Sequence, residues 1–233
     1  YQSDKKSSPK VTATPMPIPA DSGSQLPLFH IVGFTGHRFV EAPSVIAAAL
    51  DSAIELLQQQ TPGEWVALAS VAQGSDQLFV EQALQRGLSW HAILPLPLAD
   101  FSRDFDAEQW PRVQELLTRA EHQQVSSDNV EGPRDDAYVD CGLETVNGSD
   151  LLIAVWDGEP ARGKGGTADV VEYARSIGRP LIIIDATTGE RRFENWAKLD
   201  VQEIALSSLN RLPDARTCGG NPFQAPDAVF ADE

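Results

Sequence analysis

The sequence predicts an α/β fold in which helices cover both faces of a parallel sheet of about five strands, all in a single domain. Two observations support this prediction. Runs such as LLIAVW (151–156) and LIIID (181–185) are apolar throughout, which is typical of parallel strands buried on both faces. Stretches with helical periodicity lie between such runs, and strands that alternate with helices indicate a doubly wound sheet.

The first half of the chain shows this alternation clearly. A first buried strand ends at Gly33 or Phe34. The segment after it is predicted to be helical because Ile46, Leu50 and Ile54 fall on one face of a helix. In this half we predict strands at 26–34, 64–70 and 90–97 and helices at 43–60 and 74–87.

The second half begins with a polar and less regular stretch between residues 100 and 147. Here we predict a helix around 106–121, an optional short strand at 122–126 and a helix over 135–149. The regular pattern then returns with a strand at 150–156, a helix at 167–178 and a strand at 180–185. Beyond Thr187 the alternation is lost, apart from a weak helix near 199–209.

These segments define three regions. Residues 1–26 are rich in Pro, Ser, Thr and Lys and are predicted to be a flexible leader or linker. Residues 27–186 form the predicted domain, and 187–233 a partly irregular C-terminal extension. Because the first residue is Tyr1, we expect the chain to be a piece of a longer polypeptide, whose missing part could hold a membrane segment or an effector domain.

The chain is strongly acidic, with a net charge of −16 and a pI of about 4.5. This charge predicts no duplex nucleic acid partner and no contact with an anionic membrane over a broad face. No apolar stretch approaches the roughly 20 residues that a membrane span needs. Cys141 and Cys218 lie far apart with no metal-ligand spacing, so we predict a cytoplasmic protein with no metal site.

Three loops that follow predicted strands carry unusual residues. They are GFTGHR (33–38), SVAQGSD (70–76) and WDGEPARGKGGT (156–167). In an open parallel sheet, ligands bind beyond the carboxyl ends of the strands, at the point where the strand order reverses. All three loops would open on that edge, which favours a shared binding site.

The third loop has the chemistry of an anion site. Gly165 and Gly166 allow close approach of the backbone to a ligand. Thr167 is a candidate N-cap, so the amides after it would face an anion, and Arg162 and Lys164 would add positive charge. Trp156 would stack on a base or remain buried at the strand end. Asp157 and Asp169 would bind ribose hydroxyls or a base amine.

Other interpretations of the third loop remain open. Any connection between a strand and a helix needs glycine and a cap. The stretch GEPARGK (158–164) also fits the G-x-x-x-x-G-K phosphate loop, but Gly165 stands where a Ser or Thr would bind magnesium. No G-x-G-x-x-G follows the first strand, so the sequence does not predict a conventional NAD site.

The first two loops supply further polar groups. Thr35 offers a hydroxyl to a phosphate or ribose, and His37 and Arg38 would meet an anion or stack on a base, although each suits an ordinary turn or surface position. In the second loop, Ser75 is a candidate helix cap, and Asp76 suits a ribose hydroxyl or the helix dipole. The predicted ligand-binding residues are Gly33, Thr35, Gly36, His37, Arg38, Gly74, Ser75, Asp76, Asp157, Arg162, Lys164, Gly165, Gly166, Thr167 and Asp169.

Together, VGFTGHR, ASVAQGSDQLFVEQAL and LLIAVWDGEPARGKGGTADVVEYAR resemble the SLOG superfamily of Rossmann-like domains. That superfamily includes LOG phosphoribohydrolases, DNA-processing SMF proteins and nucleotide-sensing domains of bacterial antiviral defence systems. The resemblance extends over about residues 29–185. It implies a Rossmann-like fold and a pocket that binds a nucleotide or a nucleotide-derived second messenger.

The resemblance has one important departure. LOG enzymes carry P-G-G-x-G-T-x-x-E, whose glutamate assists cleavage of an N-glycosidic bond. With Gly166 and Thr167 aligned to the G-T pair, Val170 occupies the glutamate position and cannot transfer a proton. The sequence therefore predicts a sensor that binds ligand, with no catalytic residue, no metal and no cofactor besides that ligand.

Two alternatives remain. One is a nucleotide-processing enzyme, a glycosidase or transferase, in which Asp76, Asp100 or Asp169 replaces the missing glutamate. The other is a protein-interaction domain that binds no small ligand. The sensor interpretation also implies a homo-oligomer, because ligand binding can then favour one packing of subunits, and an attached or partner effector.

Overall fold

The computed structural model describes residues 29–60, 63–126, 132–161 and 163–196, whose strands form a single sheet. Its strands are β1 (Phe29–Gly36), β2 (Glu64–Ala69), β3 (Ser89–Leu94), β4 (His122–Val125), β5 (Leu151–Trp156), β6 (Leu181–Asp185) and β7 (Arg191–Glu194). Its α-helices are α1 (Pro43–Gln60), α2 (Ser75–Gln85), α3 (Leu98–Phe101), α4 (Trp110–Leu117), α5 (Arg134–Asn147) and α6 (Thr167–Ser176). A single 3-10 turn, Ser102–Asp104, follows α3.

The strands lie in the order β4-β3-β2-β1-β5-β6-β7, and all neighbours are parallel except β6 and β7. The chain moves outward from β1 to β4 on one side and then returns to β5 on the other side of β1. The strand order therefore reverses between β1 and β5, which is where an open parallel sheet forms its ligand crevice.

Strand β5 shows how the core lies on both faces of the sheet. Ile153 and Val155 belong to the larger apolar cluster, with α1 and α2, whereas Leu152 and Ala154 pack in the smaller cluster with α6. Successive side chains of a strand point to opposite faces, so a strand that is apolar throughout must be covered twice. The prediction of a Rossmann-like α/β fold with helices on both faces is confirmed.

The number of strands differs from the prediction. The five predicted strong strands occupy the middle of the sheet, and the optional strand at 122–126 is present as edge strand β4. The other edge strand, β7, lies in the predicted C-terminal extension, and its sequence RRFE has no buried residue. An exposed strand of four residues lacks the apolar pattern from which buried strands are predicted. Its place in the sheet depends on pairing with β6, which the sequence pattern does not show.

Several predictions lie outside the described residues. These are the leader 1–26, the weak helix near 199–209, the extension from 197 onward and Arg162. Within the described residues, no helix is long and apolar enough to cross a lipid bilayer.

Candidate functional site

A cavity of about 510 Å³ opens at the carboxyl ends of β1 and β5, where the strand order reverses. We call it the outer cavity. It lies between the loop after β1, which contributes His37 and Arg38, and the loop after β5, which contributes Lys164 and Gly165. Residues of the N-terminal turns of α5 complete the wall, including Tyr138.

The loop after β1 is braced by the loop before α2. Both the backbone amide and the hydroxyl of Ser75 donate to the carbonyl oxygen of His37, at 3.1 and 2.8 Å. Gly74 has a φ of 92°, and a Cβ there would lie 2.2 Å from the carbonyl oxygen of Arg38. The second loop therefore positions the first loop. The prediction that Ser75 caps α2 is wrong, because Gly74 is the N-cap and the Ser75 hydroxyl bonds outside the helix.

Two predicted binding glycines are needed for packing. A Cβ on Gly36 would lie 2.3 Å from the Ser75 hydroxyl oxygen, and one on Gly33 would lie 2.7 Å from the Ser149 hydroxyl oxygen. Gly33 sits inside the sheet, paired with Leu68 on one side and with β5 on the other. Both glycines let neighbouring elements approach β1 closely.

The loop after β5 is held by exposed groups. The amide of Gly165 donates to the Asp169 carboxylate at 2.9 Å, and the ammonium group of Lys164 forms a salt bridge with Asp136 of α5. That hydrogen bond with Asp136 raises the pKa of Lys164. The N-cap of α6 is Gly166, with no side-chain cap bond, so the prediction that Thr167 caps the helix is wrong. Gly166, Thr167 and Ala168 at this helix start line the cavity, and the first amides of a helix have no partner within it.

His37 and Asp157 connect the two loops across the β1–β5 junction. The His37 Nε2 atom lies 3.0 Å from the Asp157 carboxylate and 3.1 Å from the Asp157 amide nitrogen. One nitrogen cannot serve both partners at once, because it accepts from the amide when unprotonated and donates to the carboxylate when protonated. In either state the pair holds the loops together, which is a different role from the predicted contact with ribose.

Arg38 lies over the ring of Tyr138, 5.0 Å from its centroid, and forms no ion pair with any carboxylate in the described ranges. The hydroxyl of Tyr138 donates to Asp104, which also accepts from Arg134 at 2.6 Å. Burial, reinforced by the hydrogen bond to Asp104, raises the pKa of Tyr138. Arg38 is therefore a cation supported by an aromatic ring and available to a ligand.

Sequence reasoning missed Tyr138, Arg134 and Asp104, although a signal was present. The helix predicted at 135–149 follows a strand, and a helix that returns antiparallel to its strand begins at the carboxyl edge of the sheet. The first turns of α5 therefore had to lie near the three glycine-containing loops. Their partner Asp104 belongs to the irregular stretch, where the sequence has no periodicity to place it.

A second, smaller cavity of about 100 Å³ adjoins the first, and we call it the inner cavity. Its polar lining residues include Thr35, Ser70 and Asp76. Burial raises the pKa of the Asp76 carboxyl to about 7, and a hydrogen bond with the backbone of Ala72 and the charge of Arg38 only partly oppose this shift. Asp76 thus changes its charge near neutral pH.

Arg38, Tyr138, Gly165 and Thr167 line both cavities, so the two cavities adjoin at these residues. Val170, at the position of the LOG glutamate, is buried and also lines the inner cavity. An apolar side chain therefore forms this part of the wall of the inner cavity.

The structure brings together only part of the predicted set. Around the outer cavity it places His37, Arg38, Lys164, Gly165, Gly166 and Thr167, and around the inner cavity Thr35 and Asp76. The remaining described members line neither cavity and support the loops or the sheet: Gly33, Gly36, Gly74, Ser75, Asp157 and Asp169. Trp156 is buried and lies under the guanidinium groups of Arg175 and Arg192, at 5.3 and 5.8 Å.

Comparisons with solved structures report on the fold. The chain is similar to DNA processing protein A from Streptococcus pneumoniae, with 18% identity, a TM-score of 0.51 and coverage of 78% of this chain and 56% of that one. The chain therefore spans a little over half the length of that protein. No protein-family model and no curated protein sequence matches the chain.

Two weaker similarities have TM-scores below 0.5. DNA processing protein A from Helicobacter pylori, which has a single-stranded DNA binding mode, shows 16% identity, a TM-score of 0.49 and coverage of 78% and 81%. The Moco carrier protein of Chlamydomonas rheinhardtii shows 16% identity, a TM-score of 0.39 and coverage of 79% and 97%. With the topology above, the similarity to the Streptococcus pneumoniae protein supports a Rossmann-like fold, which is the coarser part of the predicted resemblance.

One prediction must be corrected. The net charge of −16 led us to exclude duplex nucleic acid as a partner. The comparison contradicts this exclusion, because the chain shares its fold with a DNA-processing protein in spite of that net charge. Net charge describes the whole surface, whereas a bound phosphate responds to the local field of a cleft.

Proposed function

We propose that this chain is a ligand-sensing domain that binds a nucleotide-derived signal in the outer cavity and regulates an attached or partner effector. One observation carries the proposal. The loops after β1 and β5, chosen from the sequence for their glycines and cations, border one cavity at the reversal of strand order. An open α/β sheet binds its ligands at that position.

Two groups would hold a phosphate in this cavity. The first turn of α6, beginning at Gly166 and Thr167, offers amides and the positive end of a helix dipole. Arg38 lies over the Tyr138 ring, forms no salt bridge with a described carboxylate and can form two hydrogen bonds with a phosphate. Lys164 adds a second cation once it leaves its exposed pair with Asp136.

The cavity has a suitable size. A volume of about 510 Å³ lies within the roughly 300–1,000 Å³ range of small-molecule sites. The guanidinium of Arg38 on the ring of Tyr138 also offers a planar surface on which a base can stack. Binding without hydrolysis is favoured because Val170 occupies the position of the LOG glutamate. A nucleotide-sensing role in antiviral defence is the form of this function that the sequence resemblance suggests.

A specific observation also favours a second candidate, a nucleotide-processing enzyme. Asp76 lines the inner cavity together with Val170, and its pKa of about 7 suits proton transfer at neutral pH. A carboxyl group in this position would replace the missing glutamate from another element of the fold. Asp169, the other candidate close to the loop, is bonded to the Gly165 amide and lines neither cavity.

A binding screen tests the proposal. The purified chain is incubated with AMP, ADP-ribose, cyclic dinucleotides and a single-stranded oligonucleotide, while its melting temperature and the integrity of each compound are measured. We expect one nucleotide to raise the melting temperature and to be recovered intact. Arg38→Ala should abolish the increase, and Arg119→Ala, an exposed arginine just before β4 at the opposite edge of the sheet, should retain it.

The other outcomes are equally informative. Release of free base, lost in Asp76→Asn, would establish the enzyme instead. A shift with the oligonucleotide alone would replace the sensor with a DNA-binding domain. No shift with any compound would contradict the proposed function.

A further inference from the structure

The hydroxyl of Ser70 is the least explained polar group near the site. Its oxygen is buried and has no hydrogen-bond partner among the described residues. Ser70 follows the last residue of β2 and lines the inner cavity. Burying a hydroxyl without a partner is unfavourable, so such a group beside a cavity indicates that something else supplies the hydrogen bond.

The charges around the inner cavity limit what can enter it. The Asp76 carboxyl lies on one wall and the Arg38 guanidinium on another. An anion would meet the carboxylate of Asp76, and a cation would meet Arg38. A neutral group that both donates and accepts hydrogen bonds can bond to the Asp76 carboxyl, the Arg38 guanidinium and the Ser70 hydroxyl.

The other polar groups of the cavity fit the same chemistry. The hydroxyl of Thr145 donates to the carbonyl oxygen of Cys141 at 2.8 Å, so it presents only acceptor capacity to the cavity. The Cys141 thiol lies 3.6 Å from the carbonyl oxygen of Ile93, and burial raises its pKa, so it stays neutral. Thr35 adds a further hydroxyl from β1.

We propose that the inner cavity is a subsite for a neutral, hydroxyl-bearing part of the ligand, such as the diol of a ribose, and that Ser70 and Asp76 are its hydrogen-bond partners. This inference rests on the proposed function, because the same ligand would place its phosphate in the outer cavity. The subsite admits a group of only a few heavy atoms, since its volume is about 100 Å³.

The two cavities are arranged for one ligand. Thr167 and Gly165 line both, so a phosphate at the start of α6 lies directly beside the entrance of the inner cavity. In a nucleotide, the ribose joins the 5′-phosphate directly, so its hydroxyls would enter the cavity next to the phosphate. The base would then remain in the outer cavity, close to Arg38 and Tyr138.

The test compares AMP with 2′-deoxy-AMP and 3′-deoxy-AMP by isothermal titration calorimetry, using the wild-type chain, Ser70→Ala and Ser176→Ala. Ser176 is an exposed serine in the last turn of α6 and serves as the matched control. Replacing Ser70 removes a hydroxyl that has no protein partner among the described residues, so the variant should fold as well as the wild type.

We expect the wild type and Ser176→Ala to bind AMP about fivefold to tenfold tighter than at least one deoxy analogue, as one lost hydrogen bond implies. Ser70→Ala should lose this preference and bind AMP and that deoxy analogue with about equal affinity. AMP should still bind to this variant through its phosphate. Equal wild-type affinities for all three compounds, or a preference that Ser70→Ala leaves unchanged, would overturn the subsite and leave the proposed function standing. If the wild type bound none of the three compounds and also showed no shift in the nucleotide screen, both the subsite and the proposed function would be overturned.

Discussion

The loops after β1 and β5 border the same cavity but are held in different ways. The first is held by buried contacts with the loop before α2. Ser75 donates two hydrogen bonds to the carbonyl oxygen of His37, and Gly74 packs against the carbonyl group of Arg38. The second is held on its exposed side by the pair of Lys164 with Asp136 and by the hydrogen bond from the Gly165 amide, and it shares the His37–Asp157 contact with the first.

This difference separates stability from ligand response. Changes behind the first loop disturb packed backbone and should alter the free energy of unfolding. Changes at the exposed groups of the second loop, such as Lys164, should alter ligand binding with little effect on the fold. A sensor benefits from this arrangement, because the rigid loop supplies a fixed site while the exposed loop can rearrange around the ligand.

The strongest test of the brace is Gly74→Ala. A Cβ at this position would lie 2.2 Å from a backbone oxygen, and the φ of 92° is unfavourable for alanine. We expect the free energy of unfolding to fall by about 3–5 kcal/mol, from strain and overpacking together. Urea denaturation of purified protein measures the change.

Gly158→Ala in the second loop is the matched control. Its φ is similarly positive, at 85°, but nothing lies within 4 Å of a Cβ built there. The expected loss is only about 1 kcal/mol, the conformational cost alone. Equal losses for the two variants would show that the first loop has no close brace.

Next in size is the pH dependence due to Asp76, in the first turn of α2. Its pKa rises from 3.8 in the unfolded chain to about 7 in the fold because of burial. The folded protein therefore binds more protons between these values, and this contribution to stability is complete below pH 3.8 and is lost as the pH rises through 7. The nearby titratable or charged groups are Arg38, Tyr138 and Cys141.

Asp76→Asn removes this titration while keeping an oxygen that can accept from the Ala72 backbone. Relative to the wild type it should gain about 2–4 kcal/mol of stability between pH 4 and pH 9. Urea denaturation curves at several pH values for both proteins give this difference. A stability difference that does not change with pH would contradict a raised pKa at Asp76.

A smaller effect is expected for Ser75→Ala. This change removes the hydrogen bond from the side-chain hydroxyl to the His37 carbonyl oxygen and leaves the one from the Ser75 backbone amide. The side chain is completely buried, so we expect a loss of about 1 kcal/mol. Ser176→Ala, whose exposed hydroxyl donates to the Tyr173 carbonyl oxygen, should change stability by less than about 0.5 kcal/mol. If both serines behaved alike in thermal denaturation, the distinction between braced and exposed regions would fail.

The smallest expected effect on stability is that of Lys164→Ala. Its salt bridge with Asp136 is solvent-exposed, so the free energy of unfolding should not change measurably. Affinity for the nucleotide that gives the largest shift in the screen should fall severalfold, and Lys164→Arg should recover it in calorimetric titrations at constant salt. An unchanged affinity would remove Lys164 from the site.

Two pairs of residues show how far the sequence predicts the site. Arg38 and Lys164 were recognised because charged residues among glycines at a strand end are typical of anion sites, and the structure places both at the outer cavity. Gly74 and Ser75 carry the same local signal but support the neighbouring loop. Local spacing cannot distinguish these roles, since each depends on which backbone lies next to the residue in space.

The amino-acid sequence by itself determined the doubly wound sheet, the five central strands and the edge at which a ligand would bind, because apolar periodicity and strand-end glycines are local properties. Only the tertiary structure decided that Tyr138 supports Arg38 and that Ser70 and Asp76 share an inner cavity. It also added β7, whose place depends on pairing with β6. These features arise between segments far apart in the chain, where burial and proximity set the pKa, the free hydrogen-bonding capacity and the shape of the site.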